Sequence, residues 1–133
     1  MYEPETTRHC VYNINYHMVW IPKYRRKVLV DNVADRTASL IHEISRKHRY
    51  KVLALEVMPD HVHLFCSAKP NQAPSTIVKI FKGSLARTLF KEFPGLRKKL
   101  WEGHLWAPSY YVGTAGHVSA ETIKRYIEEC QRL

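Results

Sequence analysis

Residues 52–58 and 61–65 are two strand-like runs separated only by Pro59 and Asp60, and this pair favours a tight turn, so the stretch reads as a β-hairpin. The second run opens with His61-Val62-His63-Leu64-Phe65. Residues two apart on a strand project from one face, so His61 and His63 stand side by side while Val62 and Leu64 point the other way. The hairpin must therefore be half-buried, with an apolar face toward a core and an imidazole face away from it. Its register decides whether Glu56 joins them. A loop of two or four residues puts Glu56 opposite His63 on the same face, and an odd-length loop turns it away.

Two imidazoles and a carboxylate suit divalent ions such as Mn, Co, Ni or Zn, and Mg where oxygen ligands from a substrate complete the shell. A His-x-His pair on a strand is also compatible with a merely solvated polar face. The apolar neighbours Val62, Leu64 and Phe65 favour the metal reading, because they define which face the histidines occupy.

At 133 residues the chain suits a single domain spanning 1–133, with a core of ordinary apolar content. Twenty-one Lys and Arg against twelve Asp and Glu give a net charge of +9, which points to a polyanionic partner, nucleic acid first. Cys10, Cys66 and Cys130 are widely spaced and form no C-x-x-C, arguing against a disulfide framework or a thiolate zinc site and for a reduced, cytoplasmic setting. No hydrophobic leader and no long apolar run is present, so neither secretion nor a membrane partner is expected.

Residues 10–21 alternate, with Tyr12, Ile14, Tyr16, Met18 and Trp20 on one face and Asn13, Asn15 and His17 on the other, predicting one long half-polar strand. Such a strand at a sheet edge could pair with a second copy. Pro22 breaks it, and Lys23, Arg25, Arg26 and Lys27 follow around Tyr24. Asp31 is placed to cap a helix over 31–48 with Val33, Leu40, Ile41 and Ile44 on its stripe and Thr37 the polar position within it. Pro74 suits the first turn of a second helix, 74–90, whose apolar stripe is Ile77, Val78, Phe81, Leu85 and Leu89. Lys79, Lys82 and Arg87 lie elsewhere on its circumference. Residues 105–112 read as a further strand, irregular or at an edge because of Pro108. A glycine-containing loop, 113–117, and a last helix capped by Ser119, 120–132, complete the order β-α-β-β-α-β-α. This is α+β and close to the ferredoxin-like pattern, an antiparallel sheet with helices on one face.

In the last helix Ile123, Tyr126, Ile127 and Cys130 share a stripe, which on spacing alone makes Tyr126 a core residue. Beside a metal-bound phosphodiester the same phenol can instead be a nucleophile.

The blocks YHMVWIPKYRRKVL, VMPDHVHLF, FKGSLARTLFKEFP and LWAPSYYVGTAGHVSAETIKRYIE, in this order, resemble the small single-tyrosine transposases of insertion sequences, of the HUH superfamily. The resemblance covers about residues 16–131. It implies a homodimer with a ferredoxin-like core that recognises hairpins at element ends in single-stranded DNA. Such an enzyme cuts one strand, forms a 5′-phosphotyrosine and rejoins strands without a nucleotide cofactor. It further implies His61 and His63 as ligands of Mg or Mn and Tyr126 as nucleophile, and Lys23, Arg25, Arg26, Lys79, Lys82 and Arg87 are the candidate DNA contacts.

One departure from the family pattern affects the third ligand. The family places a glutamine four residues after the tyrosine, where this chain has Cys130, and Gln131 lies roughly 100° further round the helix. Thiolate matches Mg poorly, which raises the weight of Glu56 and keeps Gln131 as the fallback. The alternative function is a non-catalytic nucleic-acid-binding module of the same fold, a transposase that has lost its chemistry.

Overall fold

The computed structural model describes residues 4–6, 10–101, 103–114, 121, 125, 126 and 128. A two-stranded sheet, β1 (Glu5–Thr6) with β2 (Val11–Tyr12), precedes the main sheet. The main sheet consists of β3 (Asn15–Trp20), β4 (Val52–Met58), β5 (His61–Ser67) and β6 (Tyr111–Gly113), in the order β4-β5-β3-β6 with every pair antiparallel. Helix α1 (Asp31–His48) connects β3 to β4, and α2 (Pro74–Glu92) with the short α3 (Pro94–Lys99) lies between β5 and β6. The β-α-β-β-α-β order and this strand sequence are the ferredoxin-like arrangement expected from the hydrophobic periods.

The period of two along β3 and β5 sorts the core. Met18, Trp20, Val62, Leu64 and Cys66 are fully buried against Leu40, Ile41 and Ile44 of α1 and Ile77, Val78, Phe81, Leu85 and Leu89 of α2. Both helical stripes match the sequence expectation. Thr37, the polar position in the α1 stripe, is buried and donates its hydroxyl to the Val33 carbonyl at 2.7 Å, which satisfies it within its own helix.

Four sequence expectations need correction. The long strand over 10–21 is two elements, since only Val11–Tyr12 and Asn15–Trp20 are paired and to different partners. Within the main sheet β3 is central, hydrogen-bonded by β5 on one side and β6 on the other, so it offers no edge for a second copy. Asp31 does not cap α1. Val30 holds that position without a side-chain cap, and Asp31 sits in the first turn with φ 51°. The strand expected over 105–112 shrinks to Tyr111–Gly113 plus an isolated bridge from Trp106 to Pro22, because Pro108 has no N–H to give a ladder; Gly113, read as loop, pairs with His17.

The sheet face away from α1 and α2 is not bare. Val19 and Ile21 on that face are fully buried, and Ile21 and Ala107 form a second small cluster on which Tyr126 packs.

Candidate active site

The hairpin closes with a two-residue turn, and Glu56 pairs directly with His63 while Met58 pairs with His61. Continuing across the sheet, His63 pairs with Val19 and Val19 with Tyr111. Directly paired residues share a face, so Glu56, His63, Val19 and Tyr111 form one row on the side away from the helices. His61 is one pleat further along the same face. The even-length loop that the register argument required is the one that forms.

Each histidine is oriented by a neighbour. His61 Nδ1 lies 2.9 Å from Asp60 Oδ1, and Arg25 Nε donates to Asp60 Oδ2 at 3.3 Å. Burial alone would push the Asp60 carboxyl up, but hydrogen bonds from His61 and Arg25 outweigh it and hold the pKa below the usual carboxylate range. An ionised Asp60 accepting from Nδ1 leaves Nε2 of His61 as the lone-pair nitrogen, the state a metal ligand needs. His63 Nε2 is 3.0 Å from Nδ1 of His17, whose ring stacks on Phe65 with centroids 4.0 Å apart and planes 6° apart. Burial and the neighbouring His17 push the His63 pKa down, so His63 is neutral at physiological pH and able to ligate.

Beside this pair a shallow cavity of about 140 Å³ is lined by His17, Ala54, Leu55, Glu56, His63 and Phe65. Glu56 is exposed at the rim of this cavity, one strand from His63. Among the described residues no three His, Cys, Asp or Glu side chains are already gathered as a ligand set. The donor chemistry nevertheless fits a divalent ion: two imidazoles on one face, one of them held by Asp60, and an exposed carboxylate one strand away. Cys130 and Gln131, the two positions weighed as third ligand, lie outside the described residues, as do Ser119 and most of the last helix.

Tyr126 lies on the same face. Its hydroxyl donates to the Ser109 carbonyl at 3.1 Å, and its ring centroid is 6.5 Å from that of Tyr111. Tyr111 and His63 are separated by two strand spacings, about 10 Å. The phenol is thus docked at the Tyr111 end of the row that contains His63, with its proton committed to a backbone carbonyl.

The candidate DNA contacts fall into three groups. Lys79 and Arg87 are exposed on α2. Lys82 is a strap: its ammonium donates to the Ala107 carbonyl at 2.7 Å and the Ser109 carbonyl at 3.4 Å, while Trp106 Nε1 donates to the Lys82 carbonyl at 3.0 Å. Arg25 belongs to the Asp60 link, and Lys23 and Arg26 stand over aromatic rings, Tyr24 and Trp101 respectively. Lys23, Lys82, Arg87, Phe90, Arg97 and His104 are among the residues lining a groove of about 560 Å³ between α2, α3 and residues 103–108.

Sequence reasoning missed His17, Asp60 and Ser109. On sequence alone His17 falls on the polar face of its strand without a role, and its signal is sharing that face with the His-x-His pair once β3 and β5 are neighbours. On sequence alone Asp60 reads only as a turn residue, although its position before His61 puts its carboxylate within reach of the ring.

The family model described as "Transposase IS200 like" matches residues 10–130. The ISDra2 transposase TnpA of Deinococcus radiodurans is 44% identical over 126 residues, covering 95% of this chain and 90% of that protein. The transposase for insertion sequence element IS200 of Salmonella typhimurium is 27% identical over 132 residues, covering 97% and 87%. Among solved structures, a Deinococcus radiodurans transposase crystal structure superimposes with a TM-score of 0.87 at 41% identity, covering 95% of this chain and 97% of the other. A REP-associated tyrosine transposase bound to a REP hairpin gives a TM-score of 0.59 at 16% identity, with 95% and 67% covered, a likeness of fold.

Proposed function

The chain belongs to the IS200-like transposases, and from that premise we propose that it cuts and rejoins single-stranded DNA through Tyr126, beside a divalent ion held by His61, His63 and Glu56. Membership makes it a DNA strand transferase of transposition. The observation that supports the site is the row Glu56, His63, Val19, Tyr111, with Tyr126 packed against its far end.

When bound, Mg or Mn supplies charge neutralisation at the scissile phosphate and stabilises the departing oxygen. The rest falls to the chain's own groups. Asp60 and Arg25 orient the ring of His61, and His17, itself stacked on Phe65, holds the ring of His63. Tyr126 exchanges its hydrogen bond to Ser109 for the phosphate, and its Oη bonds to phosphorus as the phenol proton passes to solvent. The P–O3′ bond breaks, the 3′-oxygen takes up a proton, and a 5′-phosphotyrosine remains. Attack by a 3′-hydroxyl on that linkage releases the phenol and reseals a strand, so no nucleotide cofactor is consumed. Lys79, Arg87 and Arg97 offer cations for DNA phosphates along α2 and α3. Recognition of hairpins at element ends, a homodimeric state, a single domain over 1–133 and a cytoplasmic site of action complete the reading; no helix among the described residues is long and apolar enough to cross a membrane.

The test is incubation with end-labelled single-stranded element ends and Mg or Mn, resolved on a denaturing protein gel. A labelled adduct with the parent and none with Tyr126→Phe is expected. Absence of an adduct with the parent on a DNA it binds would leave a nucleic-acid-binding module without chemistry.

A further inference from the structure

The turn after β3 and the end of α3 meet at the surface in an aromatic and cationic cluster that the reaction at the histidines does not use. Tyr24 is 49% exposed and Trp101 66%, and their ring centroids are 5.0 Å apart. The Arg26 guanidinium lies 4.3 Å from the Trp101 ring centroid, and Lys23 Nζ lies 5.7 Å from that of Tyr24. Burial does not account for this pairing, since most of the Trp101 surface remains in water.

The backbone holds the rings out. Tyr24, Arg25 and Trp101 have φ of 60°, 54° and 53°, a left-handed conformation that non-glycine residues adopt only where their surroundings enforce it. Around Tyr24 and Arg25 the holding contacts are the Lys23 N–H donated to the Leu105 carbonyl at 2.8 Å, the Arg25 N–H donated to the Pro22 carbonyl at 2.9 Å and the bridge between Pro22 and Trp106, while Trp101, just past the end of α3, donates its N–H to the Lys98 carbonyl at 3.1 Å. Strain kept to present two aromatic rings and two cations outward points to a ligand with flat faces and negative charge.

We propose that Tyr24 and Trp101 form a stacking platform for one unpaired nucleobase of single-stranded DNA, with Lys23 and Arg26 holding its flanking phosphates. Bases inside a duplex stem are already stacked and cannot present a face to these rings, so the occupant is an unpaired nucleotide. Its place along the DNA follows from the link next door: Arg25, between Tyr24 and Arg26, is bonded to the Asp60 that orients His61. A base seated here lies in the strand leading to the histidine pair. Lys23 also lines the groove between α2 and residues 103–108, so the cationic surface continues from the platform. Because every base has a π-face, the platform grips the strand without reading its sequence.

This inference rests on the single-stranded DNA reading above, and two DNAs separate the claims: one hairpin with a short single-stranded tail at the side to be cut, and the same hairpin without it. Trp20 and Trp106 are buried, so quenching of tryptophan fluorescence on binding reports mainly Trp101. Tailed DNA is expected to quench the full-length parent. Trp101→Ala should lose that quenching and bind tailed DNA about ten-fold more weakly, with binding of the tail-less hairpin unchanged. Trp101→Phe should keep most of the affinity, and Tyr24→Ala should lose part of it. The salt dependence should stay the same for Trp101→Ala, whereas Arg26→Gln lowers its slope by about 0.7 per lost phosphate contact. Parental affinity of both Ala variants for tailed DNA overturns the platform alone, as does equal weakening of both DNAs. A parent that binds neither DNA overturns the DNA reading and the platform with it.

Discussion

At the scale of single residues, Asp60 is the side chain on which the site's geometry turns. It receives His61 Nδ1 and Arg25 Nε on its two oxygens, so removing it frees the imidazole to rotate and to change tautomer. Asp60→Ala should weaken Mn binding by about 10- to 100-fold, the usual cost of losing a carboxylate behind a ligating histidine, while Arg25→Gln costs less because Asp60 still holds the ring. Electron paramagnetic resonance titration of free Mn measures both, and an unchanged affinity in Asp60→Ala would separate Asp60 from the metal site. Cys66 makes a complementary test of the core. Burial pushes its thiol up to about 12, so at pH 8 only about one part in ten thousand is thiolate, and it should resist alkylation in the folded protein while Cys10 reacts. The raised value also sets a sign. The stabilising contribution is complete below the unfolded thiol's pKa near 9.0 and is lost as pH rises toward about 12, so the urea midpoint should fall across that window, and less so in Cys66→Ala relative to its own value at neutral pH.

At the scale of elements, the 106–109 segment is held to α2 chiefly through Lys82, and the same Ser109 carbonyl that accepts from Lys82 accepts from Tyr126. Lys82→Met keeps the stem's packing but removes the two hydrogen bonds its ammonium donates; it should lower stability by about 1–3 kcal/mol and loosen the docking of Tyr126. Lys79→Gln with Arg87→Gln should instead leave stability within about 0.5 kcal/mol and reduce the salt slope of DNA binding, since both are exposed. Thermal melting and salt titration distinguish the two effects. These assignments show what a sequence displays and what it hides. The Glu56–His63 register was legible because a period of two and a two-residue turn are local constraints, and the α1 and α2 stripes were legible for the same kind of reason. The central position of β3, the partnership of His17 with His63 and the strap role of Lys82 depend on which distant segments become neighbours, and nothing in the local pattern of residues 10–21 or 79–87 encodes that. Residues 105–112 misled because Tyr110, Tyr111 and Val112 carry strand preference, yet the missing N–H of Pro108 confines pairing to the far end.

For the whole molecule, the proposed dimer raises the question of which copy's tyrosine would serve which copy's histidines. The available strand edges of the main sheet are β4 and β6, not β3, so a dimer built by edge pairing would use one of these or dispense with strand pairing. Tyr126 is docked on Ile21, Ala107, Tyr111 and the Ser109 carbonyl of its own chain, on the histidine face but about two strand spacings from His63. A tyrosine that reaches across to a second copy would explain a resting position that commits the phenol proton away from its own histidines. The expectation is therefore a dimer by light scattering in which the tyrosine acts in trans. Mixing His61→Ala with Tyr126→Phe, each inactive alone, gives heterodimers in half of all pairings. In each heterodimer one site combines a wild-type histidine pair with a wild-type tyrosine from the other chain, while the second site carries both lesions. About a quarter of the parental sites are then restored, and the DNA adduct should appear only on the His61→Ala chain. If the tyrosine acts in cis, no pairing contains an intact site and the mixture stays as silent as its components, so a distinguishable tag on one chain and a labelled DNA decide between the two arrangements on a single gel.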